Sequence, residues 1–302
     1  MPWGFGRVAE RPSRIYIPRL NEQLSDVERI AKLYSVCDRW AEKGFTLAFD
    51  FENCDFLSPT AVAAIGGMIA HIESKGGDAP ILRATLQPKV RDALTKNGFL
   101  ASHGMEAPRF ENNAIAYHHD RSPNTNEFAK FIAEEWIGRN WLDIGRDVRQ
   151  EIIQSVVELY NNAFEHGRAS GFFTCGQKFP NREEVKIAFL DFGSTIPGTV
   201  KTLAETRRLS DHESITWALQ AGNTSKPGYS RGLGFDVLMD LVSGAGSHLE
   251  IYSRVGAVRA ANRHPVARPL AFMFPGTLIQ LTVSTAGIRK MLADRPKPVI
   301  RF

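Results

Sequence analysis

The sequence of 302 residues is poor in cysteine and has no long apolar segment. Its three cysteines, Cys37, Cys54 and Cys175, lie far apart and form no CxxC pair. This spacing favours reduced thiols over a disulfide framework or a zinc site. The longest apolar run, residues 61–70, is about half of what a membrane-spanning helix needs, and the first residues lack the apolar core of a signal peptide. We therefore expect a soluble, cytoplasmic protein without a membrane partner.

An excess of charge of one sign is also missing. The formal net charge is only +4, and no run of five or six lysines and arginines occurs, so nucleic acid is not an expected partner. Hydrophobic residues make up 43% of the chain and charged residues 23%, as in an ordinary globular protein of one or two domains.

The clearest pattern that is present predicts an amphipathic helix over residues 147–167. Gly167 can end this helix in the left-handed conformation. Apolar residues recur at spacings of three and four and predict the stripe that faces the core: Val148, Ile152, Val156, Leu159 and Ala163.

A second face of the same predicted helix is polar. Ser155, Glu158 and Asn162 fall about one turn apart and project together. A carboxylate and a carboxamide in this arrangement can serve a magnesium–phosphate centre, because the amide oxygen is a hard ligand and the carboxylate can orient a hydroxyl or water. The alternative is an ordinary solvated helix face.

Three further motifs follow this helix in order. Residues 184–197, EVKIAFLDFGSTIP, form a β-rich run that ends in an Asp–Phe–Gly triplet. Residues 228–242, GYSRGLGFDVLMDLV, place a glycine cluster before a second apolar helix, and residues 276–283, GTLIQLTV, indicate a strand. The four motifs in this order resemble the GHKL (Bergerat-fold) ATP-binding family, which includes histidine kinases, anti-sigma-factor serine kinases and gyrase-type enzymes. The resemblance covers residues 128–283, and ELYNNAFEHG is most similar to the anti-sigma-kinase form of the first motif.

The resemblance implies an ATP site with Mg²⁺, and it gives each helix residue a role. Glu158 would be the general base or the group that orients water. Asn162 would be the metal ligand, and the metal would bridge the triphosphate. Asn161 is the neighbouring alternative, but it points about 100° away around the helix. His166 would lie near the phosphates or cap the last helical turn.

The strand motifs would bind the base. Asp191 would accept a hydrogen bond from the adenine amino group, and because a carboxylate at the end of a buried strand is costly unless paired, a partner is expected for it. Gly193 would let the base approach the backbone closely. Thr277 would lie near the adenine, with simple packing as its alternative. Family members commonly have a glycine where this sequence has Thr195.

The glycine cluster would bind the phosphates. Gly232 and Gly234 would bring backbone N–H groups to them at a helix N-terminus. Residues 199–231 would form a flexible lid over the nucleotide. Lys226 and Arg231 in this lid could contact the β- or γ-phosphate or could be solvated charges.

The first part of the chain alternates predicted strands and helices, which indicates a small α/β layer. Strands are expected over residues 14–20, 45–57 and 80–86, and helices over 24–43, 61–72 and 88–97. This order resembles a STAS domain, the fold of anti-sigma-factor antagonists, over residues 13–105. Members that act as switches are phosphorylated on a serine at the turn into the second helix. Here Pro59 falls at that place, and Ser58 is expected to cap the helix.

The segment between the two halves includes a predicted strand at residues 113–120. His118, His119 and Asp120 end this strand, but adjacent strand residues point to opposite faces, so the two histidines are not expected to share a metal. We place the domain boundary here. The prediction is an α/β protein of two domains: a STAS-like α/β layer at residues 1–120 and a Bergerat α/β sandwich at 121–302, with helices on one face of a mixed sheet.

These motifs together predict a magnesium-dependent ATP-binding protein. It would hydrolyse ATP slowly, or transfer the γ-phosphate to a protein as an anti-sigma-like serine/threonine kinase does, and act as a regulatory switch through the STAS-like domain. The alternative is a non-catalytic nucleotide-sensing interaction module. A protein partner, either a regulator or a phosphorylation target, is expected in both cases, and a homodimer stays open.

Overall fold

A computed structural model describes residues 13–107, 113–165, 171–193, 195–220, 223 and 233–288. These residues form a mixed α/β fold with a two-stranded parallel sheet and a five-stranded antiparallel sheet. None of the described helices combines the length and the apolar character needed to cross a membrane.

The N-terminal part builds the small parallel sheet and the helices around it. Its elements are β1 (Ser13–Tyr16), α1 (Leu24–Ala41), β2 (Leu47–Asp50), α2 (Pro59–Ser74), α3 (Pro88–Lys96) and α4 (Phe99–Ser102). The three predicted helices are confirmed. Ser58 caps α2 as expected, because its Oγ accepts a hydrogen bond from the Ala61 N–H at 3.3 Å.

All three strand predictions in this part are wrong in extent. The strand expected at residues 14–20 is only Ser13–Tyr16. The strand expected at residues 45–57 is only Leu47–Asp50. The segment at 80–86 makes one isolated bridge, between Phe49 and Ile81, and then a 3₁₀ turn at Arg83–Thr85. The apolar residues of this segment are therefore explained by burial beside β2, because the segment does not pair along its length as a strand.

The C-terminal part builds the large sheet. Its elements are β3 (Ala114–Asp120), α5 (Thr125–Phe131), α6 (Arg146–Glu165), β4 (Phe172–Phe179), β5 (Glu184–Asp191), α7 (Ile196–Val200), α8 (Asp211–Ala218), α9 (Leu233–Leu241), β6 (His248–Ala261) and β7 (His264–Ser284). The strand order is β3-β4-β5-β7-β6, and every neighbouring pair is antiparallel.

The prediction of a mixed large sheet is therefore wrong. Two hairpins account for two of the four pairings, β4 with β5 and β6 with β7, since strands joined by a short turn must run antiparallel. Glu183 turns the chain between β4 and β5, and Asn262 and Arg263 turn it between β6 and β7, all three with positive φ. Two consecutive residues with positive φ are typical of the tight turn that matches the twist of a hairpin.

Both faces of the large sheet are covered by helices, which also differs from the prediction. Side chains alternate between the two faces along a strand. In β5, Ile187 and Phe189 belong to the apolar cluster that contains α6, whereas Ala188 and Leu190 belong to the cluster that contains α2. A strand that is apolar on both sides needs cover on both sides, and α2 provides the second layer.

Helix α2 can lie this close to the sheet because it carries two adjacent glycines. A Cβ at Gly66 would lie 2.0 Å from the Tyr117 hydroxyl oxygen, and a Cβ at Gly67 would lie 2.7 Å from the Phe192 ring. The Gln280 side chain in β7 also donates to the Thr60 hydroxyl at 2.9 Å.

The expected two-domain layout is not confirmed, because one apolar cluster joins α1, α2 and the back of the large sheet. The boundary near residue 120 stays a prediction.

We expect Gly66→Ala to lower the free energy of unfolding by about 1–3 kcal/mol, the usual range for overpacking a buried contact. The added methyl group would displace Tyr117, which lies between α2 and the sheet. Urea denaturation followed by tryptophan fluorescence measures the change.

Gly145→Ala is the matched control, since a Cβ there would meet no atom within 4 Å. Equal effects at the two glycines would contradict the close fit of α2 on the sheet.

Candidate functional site

Helix α6 is fixed to the large sheet by its apolar stripe and by one tyrosine. Ile152, Val156, Leu159 and Ala163 are buried, as predicted. The Tyr160 hydroxyl donates to the Asp120 carboxylate at 2.8 Å and accepts from the Asn124 backbone N–H at 2.6 Å. These bonds set the helix against the end of β3.

The polar face of α6 is not an ordinary solvated face. Ser155 is only 1% exposed, and Glu158 and Asn162 are half-buried. The amide oxygen of Asn161 accepts a hydrogen bond from Thr125 at 2.8 Å. Because that oxygen already has a donor within the fold, Asn162 is the better candidate for a metal ligand.

Asp191 ends β5 on the side of the sheet that faces α6, two residues after Phe189. It is 6% exposed, and its Oδ1 atom is buried without a hydrogen-bond partner among the described residues. Burial raises the pKa of Asp191 well above its usual range. Buried polar atoms almost always have a partner in native proteins, so this oxygen marks a place where a donor is missing.

Two hydroxyl side chains continue the same row across the sheet. Asp191 pairs with Thr277 in β7, and Thr277 pairs with Ser253 in β6. The Ser253 hydroxyl donates to the Gly276 carbonyl at 2.8 Å and lies 3.2 Å from the Thr277 hydroxyl. The sequence placed Asp191 and Thr277 at one site but missed Ser253, because β6 was not identified and no short motif surrounds it.

A glycine allows β7 to pass beside Asp191. Gly276 has φ +143°, and a Cβ there would lie 2.1 Å from the Asp191 carbonyl oxygen. Gly193 lies two residues after the end of β5 and is half-buried. Where the family commonly has a further glycine, the Thr195 hydroxyl accepts from the Gly198 N–H at 3.0 Å and caps α7. Threonine at position 195, where the resemblance implies glycine, therefore caps the start of α7.

The phosphate-binding part of the prediction is only partly covered. Gly234 lies in the first turn of α9, which packs against α6. The other residues expected near the phosphates lie outside the described residues: His166, Lys226, Arg231 and Gly232.

The predicted lid at residues 199–231 contains a well-held helix. Ser210 and Glu213 form a capping box at the start of α8, which satisfies two backbone donors. Asp211 is buried and bonds the Lys201 ammonium and, at 3.1 Å, the Arg254 guanidinium of β6. Helix α8 is therefore attached to β6 through the buried Asp211 carboxylate, and the flexible lid at residues 199–231 stays a prediction.

A metal ion at this site would need coordinating atoms from a bound substrate in addition to those of the protein. No group of three His, Cys, Asp or Glu side chains that could hold a metal occurs among the described residues. Magnesium usually binds through few protein ligands together with substrate phosphates, and Asn162 fits that pattern. The two strand histidines diverge as predicted: the His118 ring stacks on Phe131, and the His119 ring stacks on Phe173. The three cysteines are free and buried.

No protein-family model matches this chain, and no curated protein is significantly similar to it. The family resemblance therefore stays a prediction that depends on the four sequence motifs.

The stability of Asp191→Asn relative to the wild type should depend on pH. Because the folded pKa is raised, the native state holds a proton over a pH range in which the unfolded chain, with a pKa of about 3.9, has lost it. Wild-type stability should therefore fall as pH rises from about 4, by up to ~1.4 kcal/mol per pH unit, until the folded pKa is passed. The amide of the variant does not titrate, so urea denaturation of both proteins across pH should show a growing difference.

A difference that stays constant from pH 4 to pH 8 would contradict the burial of an unpaired carboxyl group at this position.

Proposed function

We propose that this protein binds ATP with Mg²⁺ between the large sheet and helices α6 and α9, and that binding acts as a regulatory switch. The observation that carries the proposal is the unpartnered Oδ1 atom of Asp191, buried at the end of β5 on the α6 side. Its place in the sequence is the one that the motif order assigns to the adenine-binding carboxylate.

The chemistry of this position favours adenine over guanine. Adenine presents an exocyclic amino donor where guanine presents a carbonyl acceptor. The Asp191 carboxyl group, once it has lost its proton to make room for the ligand, would accept a charge-assisted hydrogen bond from the amino group, whereas it would repel the carbonyl. Thr277 and Ser253 add hydroxyl groups beside it, and hydroxyls can donate or accept.

The other end of the site would hold the phosphates. The N-terminus of α9, with Gly234 in its first turn, would offer backbone N–H groups and partial positive charge to the phosphates. Asn162 on α6 would bind the metal together with phosphate oxygens. Glu158, one turn earlier, would orient water or a protein hydroxyl. Phosphoryl transfer depends mainly on such positioning and on charge neutralisation, and the result would be slow hydrolysis or transfer to a protein.

A non-catalytic nucleotide-sensing module is the second candidate, and one contact favours it. Phe192, next to Asp191, points to the opposite face of the sheet and packs 4.2 Å from the Tyr34 ring of α1. A change in position at Asp191 would therefore be passed to the N-terminal part through the contact between Phe192 and Tyr34. Ser58 is not a good modification site in this arrangement, because it is 2% exposed and its hydroxyl donates to the Asn21 carbonyl at 2.9 Å.

Mg-ADP at a concentration about 100 times its dissociation constant should raise the free energy of unfolding by about 2.7 kcal/mol. Mg-GDP should raise it much less, since its carbonyl would face Asp191. Asp191→Asn should bind Mg-ADP about tenfold or more weakly, the loss expected for a hydrogen bond to a charged group. Thermal denaturation with and without each nucleotide measures all three.

Asp240→Asn is the matched control, because it removes an exposed carboxyl in the last turn of α9, away from the proposed phosphate end. Equal stabilisation by ADP and GDP, or no effect of Asp191→Asn, would contradict an adenine site at β5.

Glu158→Gln should abolish phosphate release or transfer while leaving nucleotide binding nearly unchanged. The amide keeps the size of the side chain but cannot take a proton. Glu151→Gln, an exposed residue on the same helix, should change neither property. Single-turnover release of phosphate from labelled ATP distinguishes chemistry from binding. Binding without any turnover in the wild type would favour the nucleotide-sensing module.

A further inference from the structure

A separate cleft lies on the α2 side of the large sheet, away from Asp191. It has a volume of about 380 Å³, which is within the range of small-molecule sites. Four segments enclose it: α2, residues 78–81, the end of α4 with the residues after it, and β3. Nothing in the proposed nucleotide chemistry uses this cleft.

The floor and one wall of the cleft suit a flat apolar body. Ile69 and Ala70 of α2, Ile81 and Met105 supply aliphatic surface. Tyr117 and His119 add an aromatic wall, because their rings stack with centroids 5.5 Å apart. A planar ring could pack on this apolar and aromatic lining.

Three nitrogen-bearing side chains converge at the same cleft: His103, His119 and Arg121. The Nδ1 atom of His103 lies 2.8 Å from the Phe99 carbonyl. Since a carbonyl can only accept, Nδ1 carries the hydrogen, and Nε2 of the neutral ring is an acceptor.

Burial lowers the pKa of both histidines, and Arg121 lowers both further. His103 and His118 also lower the pKa of His119, while Asp120 raises it. Glu73 is the carboxylate that raises the pKa of His103. Burial is the largest cause of the lowered pKa of both histidines, so both rings favour the neutral form and Arg121 is the permanent cation of the three.

Two carboxylates line the cleft, and one of them is paired with Arg121. Glu73 already accepts a hydrogen bond from Arg121, and the two side chains are 38% and 50% exposed. Exposed ion pairs of this kind contribute about 0–1 kcal/mol, so Arg121 can readily turn to another anion. Asp78 is exposed at the rim.

We propose that the cleft binds a small organic carboxylate with a planar apolar body, and that Arg121 holds its carboxylate. One permanent cation matches one negative charge, and a guanidinium fork matches the geometry of a carboxylate. The apolar floor and the Tyr117–His119 wall select the body. This binding is independent of the proposed nucleotide site.

Benzoate is the probe for the test, with the full chain observed by NMR through its histidine ring protons. The signals of His103 and His119 are assigned with His103→Gln and His119→Gln. Benzoate should shift both signals saturably. Its affinity should increase as pH falls, because a bound anion raises the pKa of both histidines and so favours proton uptake.

Two substitutions with opposite expected effects test the role of Arg121. Arg121→Gln should weaken benzoate binding about tenfold or more, as expected for loss of a charge-assisted bond. Glu73→Gln should strengthen it, because it releases Arg121. Arg259→Gln removes a cation that is also paired with a carboxylate and is 55% exposed, and it should change nothing. If Arg121→Gln disturbs the backbone amide spectrum, Arg121→Lys, which keeps the charge, is measured in its place.

Benzamide, the uncharged isostere, should bind at least about tenfold more weakly than benzoate, and acetate should also bind weakly because it lacks the body. Equal binding of benzoate and benzamide, or equal binding by the Arg121 and Arg259 variants, would overturn the proposal. Inorganic phosphate that binds more tightly than benzoate, or benzoate that shifts neither histidine, would overturn it as well.

Discussion

The proposed site depends on one desolvated carboxylate. Asp191 lies at the end of a strand whose other side chains on the same face are apolar, and its buried oxygen has no donor among the described residues. Such a group destabilises the native state unless something binds it. A bound hydrogen-bond donor would relieve this cost. Gly276 lets β7 pass close to the Asp191 carbonyl, and in the proposed site α6 and α9 would lie on the other side of the nucleotide.

The second constraint is the close fit of α2 on the back of the same sheet. Strand β5 presents apolar side chains on both faces, so it needs two helical layers. Gly66 and Gly67 provide the close approach. As a result Phe192, which follows Asp191, is packed against the N-terminal part. The proposed switch and this contact are consistent with each other, because a ligand at Asp191 and the α1–α2 layer act on the same short stretch of backbone.

The sequence predicted the helices, which depend on apolar periodicity and local capping. It did not predict the strands whose position depends on pairing between distant parts of the chain. The stripe from Ile152 to Ala163 and the Ser58–Pro59 start of α2 were clear because their causes lie within a few residues.

Strands β4 and β6 were missed. In β4 several consecutive residues are buried, and β6 has register shifts near Arg254, so neither shows regular alternation. The segment at 80–86 looked like a strand but pairs at a single bridge. In the site, Asp191 and Thr277 could be placed together from the motif order, whereas Ser253 belongs there only because β6 pairs with β7.

A crystal structure of the protein with Mg-ADP tests the adenine site most directly. We expect the adenine between the large sheet and α6, with its amino nitrogen about 2.7–3.2 Å from a carboxylate oxygen of Asp191, and the metal near Asn162. A nucleotide bound elsewhere, or an adenine whose amino group does not contact Asp191, would contradict the central claim.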